Sequence, residues 1–169
     1  MKPFEMTEEF HRTFDARQPS EPTAFSAEAA THRANFKAEE IVEFLYAASQ
    51  DTTEFERLVR GLHAAVDKAK EKSLRQPISD TPLVDQVDAL TDLLYFTYGS
   101  FSLIGVDPEP IMQIVHEANM QKLFPDGKPH YDPETNKVLK PANWARDFAP
   151  EAKIKEEINR QIKKKQAHR

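Results

Sequence analysis

Apolar residues return every three or four positions along most of the chain, and the breaks between these blocks are clusters of Pro, Gly, Ser and Asp. Such a pattern predicts helices joined by short connections. The first runs from about Thr7 to Ala16, sets Phe10 and Phe14 one turn apart, and stops in the proline-rich RQPSEPTAF. The second covers about Ala27 to Ala48, with Ser26 placed to cap it and Phe36, Ile41, Phe44 and Leu45 on one side. Asp51 followed three residues later by Glu54 resembles a capping box, although Ser or Thr is the usual cap there. From it a third helix reaches about Leu74, with Phe55, Leu58, Val59, Leu62 and Val66 at amphipathic spacing, and reads as scaffold. Asp80 or Thr81, with Pro82 in the first turn, starts a fourth. That helix is apolar around much of its circumference from Leu83 to Ile104 and is therefore expected to be central. Asp107 and Pro108 open a fifth helix over Glu109 to Lys122. The turn-rich stretch near 125–145 predicts an irregular loop or small hairpin across which Tyr131 and Val138 face. A last helix, about Pro150 to Lys165, runs into the basic end IKKKQAHR.

At 169 residues the chain suits one domain with its own core. The expected divisions are an N-terminal helix and Pro-rich connection (1–25), a helical core (26–124), and a covering loop with a C-terminal helix (125–169). Charged residues make up 30% and hydrophobic ones 39%, the latter grouped in periodic blocks, so the chain is expected to fold and not to be disordered. No apolar stretch approaches the roughly 20 residues that span a bilayer, and the N-terminus lacks a signal-peptide layout, so a cytoplasmic protein without a membrane partner is expected. With no cysteine, disulfides, thiolate zinc sites and cysteine nucleophiles are excluded. A net charge of −5 argues against binding a nucleic-acid polymer and leaves a free nucleotide open. None of the four glycines forms a GxGxxG or GxxxxGK[ST] loop, so any phosphates must be held by metal and side chains.

The candidate chemistry lies in two acidic sets. Glu39, Glu40 and Glu43 fall on the second helix, and Asp85, Asp88 and Asp92 on the fourth. Glu39 to Glu43 and Asp88 to Asp92 are i,i+4 steps, displaced by only about 40° around the helix axis, where like charges repel. Any single acidic pair is ordinarily a solvated face. Here two sets recur on the two most apolar helices with few lysines nearby, which suits one to three Mg²⁺ ions with oxygen ligands. Glu40, Glu43, Asp88 and Asp92 are the firmest ligands. Glu39 is open between metal ligand, base for water and solvent-facing residue, and Asp85 between ligand and helix-dipole decoration.

Asn119, Lys122, Lys128, Lys137 and Lys140 gather in and after the fifth helix, where lysines can meet phosphate oxygens that metals leave unneutralised. Asn119 and Lys122 share a helix face beside His116. Arg33, two turns ahead of Glu40, is a further candidate for a carboxylate or a phosphate. Trp144 and Tyr98 are weighed as base-stacking residues against a core or interface role, and the core or interface role is preferred. His116 and His130 lack a metal-ligand spacing. The terminal lysine run reads as a solvated helix end.

With these residues in view, AEEIVEFLYAAS, VDALTDLLYFTYG, GVDPEPIMQIVHEANMQKL and GKPHYDPETNKVLKPANW together resemble the MazG-like all-α nucleotide pyrophosphohydrolase superfamily, in its phosphoribosyl-ATP pyrophosphohydrolase-like branch. The likeness spans roughly Phe10 to Trp144. It implies an all-α helical bundle assembling as dimers or tetramers, with Mg²⁺ (Mn²⁺ as substitute) on the acidic residues and an NTP cleaved between its α- and β-phosphates to NMP and pyrophosphate. Glu39, Glu40 and Glu43 match the EExxE element, and Asp92 the carboxylate before LLY. Many members carry a Glu three residues before that Asp; here Ala89 stands there and Asp88 one residue earlier. Asn119, Lys122 and Lys140 match the NMxK and KVLKP stretches and are implied nucleotide contacts, with Lys137 and Arg33 as further substrate-binding candidates. Glu39 or Glu40 is implied as the residue orienting the attacking water.

Two rivals stand beside this reading. One narrows the substrate to phosphoribosyl-ATP, ranked lower because the chain is longer than a minimal biosynthetic module. The other is a non-catalytic helical protein whose acidic faces bind a basic partner. The apolar surface of the Leu83 to Ile104 helix exceeds what one layer of helices covers, so a homodimer is expected.

Overall fold

The computed structural model describes residues 1–15 and 19–167, and within them the chain is all-α. In chain order the helices are α1 (Pro3–Phe14), α2 (Ala27–Ala48), α3 (Thr52–Ser73), α4 (Pro82–Ile104), α5 (Glu109–Met120), α6 (Trp144–Asp147) and α7 (Glu151–Ala167). They fall into two compact units, Glu21–Thr91 and Met1–Ser20 with Asp92–Arg169. The expected end of the first helix at Ala16, and the last two residues of the basic tail, lie outside the described residues.

In the unit Glu21–Thr91, local chemistry sets the helix ends. Ser26 Oγ accepts the Ala29 amide at 3.2 Å. Asp51 accepts the Glu54 amide at 2.8 Å, while the Glu54 carboxylate reaches back to the Gln50 amide at 3.0 Å, one residue before the cap. Satisfying these orphan amides lets a three-residue connection, Ser49 to Asp51, reverse the chain. α2 then packs on α3, with Tyr46 edge-on to Phe55 at 5.2 Å. The Gln86 side-chain amide exchanges two hydrogen bonds with the Phe25 backbone, at 2.8 and 3.1 Å, which ties the segment before α2 to the start of α4.

The other unit holds the buried core, made of Met6, Phe14, Ala118 and Trp144 with His116. α1 and α7 each pack on α5. The His116 ring meets Glu9 at 2.9 Å, and Tyr131 Oη donates to the Phe14 carbonyl at 2.7 Å. Tyr131 pairs with Val138 in an isolated antiparallel bridge, the small hairpin expected there. Asp132 closes its turn by accepting from Thr135, which holds the carboxyl below its ordinary pKa, and Asn136 takes φ 55°. α4 stops at Gly105, whose φ of 75° permits a Schellman ending in which the Val106 amide donates to Phe101 O and the Gly105 amide to Ser102 O. α7 is fastened there by Gln161, which exchanges two hydrogen bonds with the Asp107 backbone, and by Lys165 Nζ donating to Gly105 O.

α1 begins earlier than expected, because Pro3 in the first turn and the Lys2 amide bonded to Glu5 start it at residue 3. α6 was not foreseen. The largest departure concerns α4, which was expected to be central. None of its residues is buried: Leu94 is 61%, Phe96 70% and Tyr95 77% exposed. Its first ten residues do not pack on α2 or α3, and the remainder does not pack on α1, α5 or α7. The apolar circumference that suggested a core helix is thus open in a single chain.

Candidate active site

Glu39, Glu40 and Glu43 project from the second and third turns counted back from the α2 C-terminus, and Asp85, Asp88 and Asp92 from the first half of α4; all six are exposed. On α4 the geometry separates two faces. Val87, Leu90, Leu94 and Tyr98 follow one another at steps of three and four, whereas Asp85, Asp88 and Asp92 repeat the same steps on the opposite side. The acidic donors are all oxygens, the chemistry a hard ion such as Mg²⁺ takes. Among the described residues, no group of three or more His, Asp or Glu within one chain is arranged to hold an ion.

Arg33 lies over the Phe36 ring with its guanidinium carbon 5.6 Å from the centroid. Lys37 donates to the Arg33 carbonyl, and partial burial first, then the Arg33 charge, lower its pKa. Both residues sit on the turns before the acidic triplet, so α2 carries a basic segment followed by an acidic one.

The unit containing α1 and α5 gathers the predicted lysines selectively. Lys140 Nζ is 4.3 Å from the Trp144 ring centroid, and Lys122 Nζ is 5.9 Å from the centroids of both Trp144 and Phe10. Asn119 stands one turn before Lys122, whose amide donates to the Asn119 carbonyl. Lys137 belongs instead to the hairpin, where its carbonyl accepts the Asp132 amide. Trp144 itself is 6% exposed and its indole N–H donates to Ala118 O at 2.8 Å, so it is a core residue and has no open face for a base. The sequence signal for its pairing with Lys140 is the four-residue step in KPANW, which was readable only as a loop. His130 stacks on Phe124 at 4.0 Å and bonds Asp126 at 2.8 Å, which depresses the Asp126 pKa.

Residues 7–119 match the family model described as phosphoribosyl-ATP pyrophosphohydrolase. The chain belongs to that family, within the MazG-like all-α NTP pyrophosphohydrolase superfamily. A solved structure from Exiguobacterium sp. 255-15, named as a candidate NTP pyrophosphohydrolase and determined at 1.78 Å, is 40% identical and aligns with a TM-score of 0.87 over 98% of each chain. No curated protein matches. The family model takes in both acidic sets and ends at Asn119, whereas the structural likeness extends over the hairpin, the lysines around Trp144 and α7. This family member is therefore a pyrophosphohydrolase of the MazG-like class. No helix among its described residues is long and apolar enough to cross a membrane.

Proposed function

We propose that the protein is a Mg²⁺-dependent nucleoside triphosphate pyrophosphohydrolase that releases NMP and pyrophosphate from a (d)NTP, with a housekeeping role in the nucleotide pool. The observation that supports this reading is the pair of opposed faces on α4, an all-oxygen acidic face backed by an apolar stripe, together with a second acidic set on α2. Glu39, Glu40, Glu43, Asp88 and Asp92 would hold the metal. When bound there, a divalent ion supplies charge stabilisation on phosphate oxygens and lowers the pKa of water. Glu39 or Glu40 orients the attacking water and accepts its proton. Asn119, Lys122 and Lys140 bind the β- and γ-phosphates and offset the charge that grows on the departing pyrophosphate. Lys137 and Arg33 are assigned to the outer reach of the substrate.

A second copy of the chain covers the α4 stripe in this proposal, forming a homodimer, and docking completes the gathering of carboxylates. Exposed apolar surface on this scale is the mark of a protein interface. A second substrate reading, phosphoribosyl-ATP, is favoured by the description of the family model itself. Incubation of the purified protein with NTPs, dNTPs and phosphoribosyl-ATP in the presence of Mg²⁺ or Mn²⁺ separates the readings. Monophosphate plus pyrophosphate from an NTP supports the proposal, and turnover of phosphoribosyl-ATP alone supports the second. Diphosphate plus phosphate, or silence across the panel, contradicts both.

A further inference from the structure

We infer that Trp144 is a positioning residue for the polyphosphate: its buried ring gathers the ammonium groups of Lys122 and Lys140 so that both meet one diphosphate moiety. This deepens the reading above and depends on its assignment of the two lysines to phosphate. Three elements contribute to the arrangement. Lys122 follows α5, Lys140 leaves the hairpin, and Trp144 opens α6, while Phe10 of α1 lies as far from Lys122 as Trp144 does. The indole N–H bond to Ala118 O and the near-complete burial of the side chain fix the ring plane. Because both ammonium groups lie within cation–π range of one centroid, their separation cannot exceed the sum of those two distances.

The chemistry of the holding group matters. An aromatic face orients an ammonium without cancelling its charge as a carboxylate would, so Lys140 keeps its charge for a phosphate oxygen. Two cations drawn to one ring repel each other, and a bound anion offsets that repulsion. Lys122, Lys140 and Trp144 lie beyond residue 119, where the match to the family model ends.

Trp144 is the chain's one tryptophan, so biosynthetic incorporation of fluorinated tryptophans alters this ring alone. Graded fluorination weakens the attraction for cations without changing the ring's shape or removing its N–H. Inhibition of NTP turnover by inorganic pyrophosphate is the readout, with kcat, KM and Tm measured alongside. The inhibition constant and KM are expected to rise stepwise, about three- to tenfold across the series, with Tm and kcat nearly unchanged. Trp144→Phe, which keeps an aromatic face, is expected to stay near wild type in pyrophosphate inhibition, and Trp144→Leu to lose it, although both lose the N–H bond. A flat or reversed fluorination series, or losses that follow Tm alone, overturns the inference while leaving the lysine assignment standing. Unchanged pyrophosphate inhibition in Lys122→Met and Lys140→Met overturns that assignment and the inference with it.

Discussion

Replacing Leu94 by Ala tests whether a second chain covers α4. Leu94 sits mid-stripe between Leu90 and Tyr98 and is 61% exposed in the single chain. Full burial of a leucine side chain is worth about 1.5–3 kcal/mol, so covering the exposed part of Leu94 contributes about 1–2 kcal/mol per copy. A two-fold interface uses the residue twice, giving about 2–4 kcal/mol, or a dimer dissociation constant raised about 30- to 900-fold. The fold of each chain should be spared, since the part of α4 that carries Leu94 packs on no other helix of its unit. Sedimentation equilibrium over a wide concentration range reads the effect directly. A wild-type protein that sediments at 19.4 kDa at every concentration, or a variant whose dissociation constant equals that of wild type, refutes the reasoning.

Tyr131→Phe removes the donor to the Phe14 carbonyl and should lower stability by about 1 kcal/mol, read as a lower urea midpoint at unchanged slope; an unchanged midpoint would show that the bond carries nothing. Glu157 bonds Arg160 first and Gln161 second, which depresses its pKa from 4.5 to about 2. A carboxyl with a depressed folded-state pKa binds fewer protons folded than unfolded, so its stabilisation is complete above about pH 4.5 and disappears as pH falls through about 2. Thermal melts of Glu157→Gln should accordingly show a flatter decline than wild type between those two values, and coincident acid limbs would refute the assignment.

Most of the fold was legible because its helix ends are local chemistry. Ser26, Asp51 and Pro82 announce α2, α3 and α4 through side chains and ring geometry that act within three residues. The Tyr131 and Val138 pairing was legible from the density of turn residues between them. α6 was not, since Trp144–Asp147 is a single turn held by the Trp144 contact with Ala118, a partner 26 residues away. α4 shows the limit of periodicity most clearly: a helix apolar on most sides announces that it needs cover, and the pattern does not say whether its own chain or another provides it. The same holds for the site. Spacing shows that Glu39 and Glu43, or Asp88 and Asp92, share a face, but what meets that face is set by packing beyond the helix. The pairing of Lys122 with Lys140 across Trp144 likewise depends on how α5 and the hairpin approach each other.

The central claim, that carboxylates of α2 and α4 serve one metal site for pyrophosphate release, is tested most directly by Mn²⁺ binding. Electron paramagnetic resonance titration of wild type, Glu40→Gln and Asp92→Asn, with pyrophosphate release measured on the same samples, compares the two helices on equal terms. Both variants should lose tight Mn²⁺ and fall at least about a hundredfold in release, equivalent to some 3 kcal/mol of transition-state stabilisation. Wild-type Mn²⁺ affinity and turnover in either variant would contradict the claim.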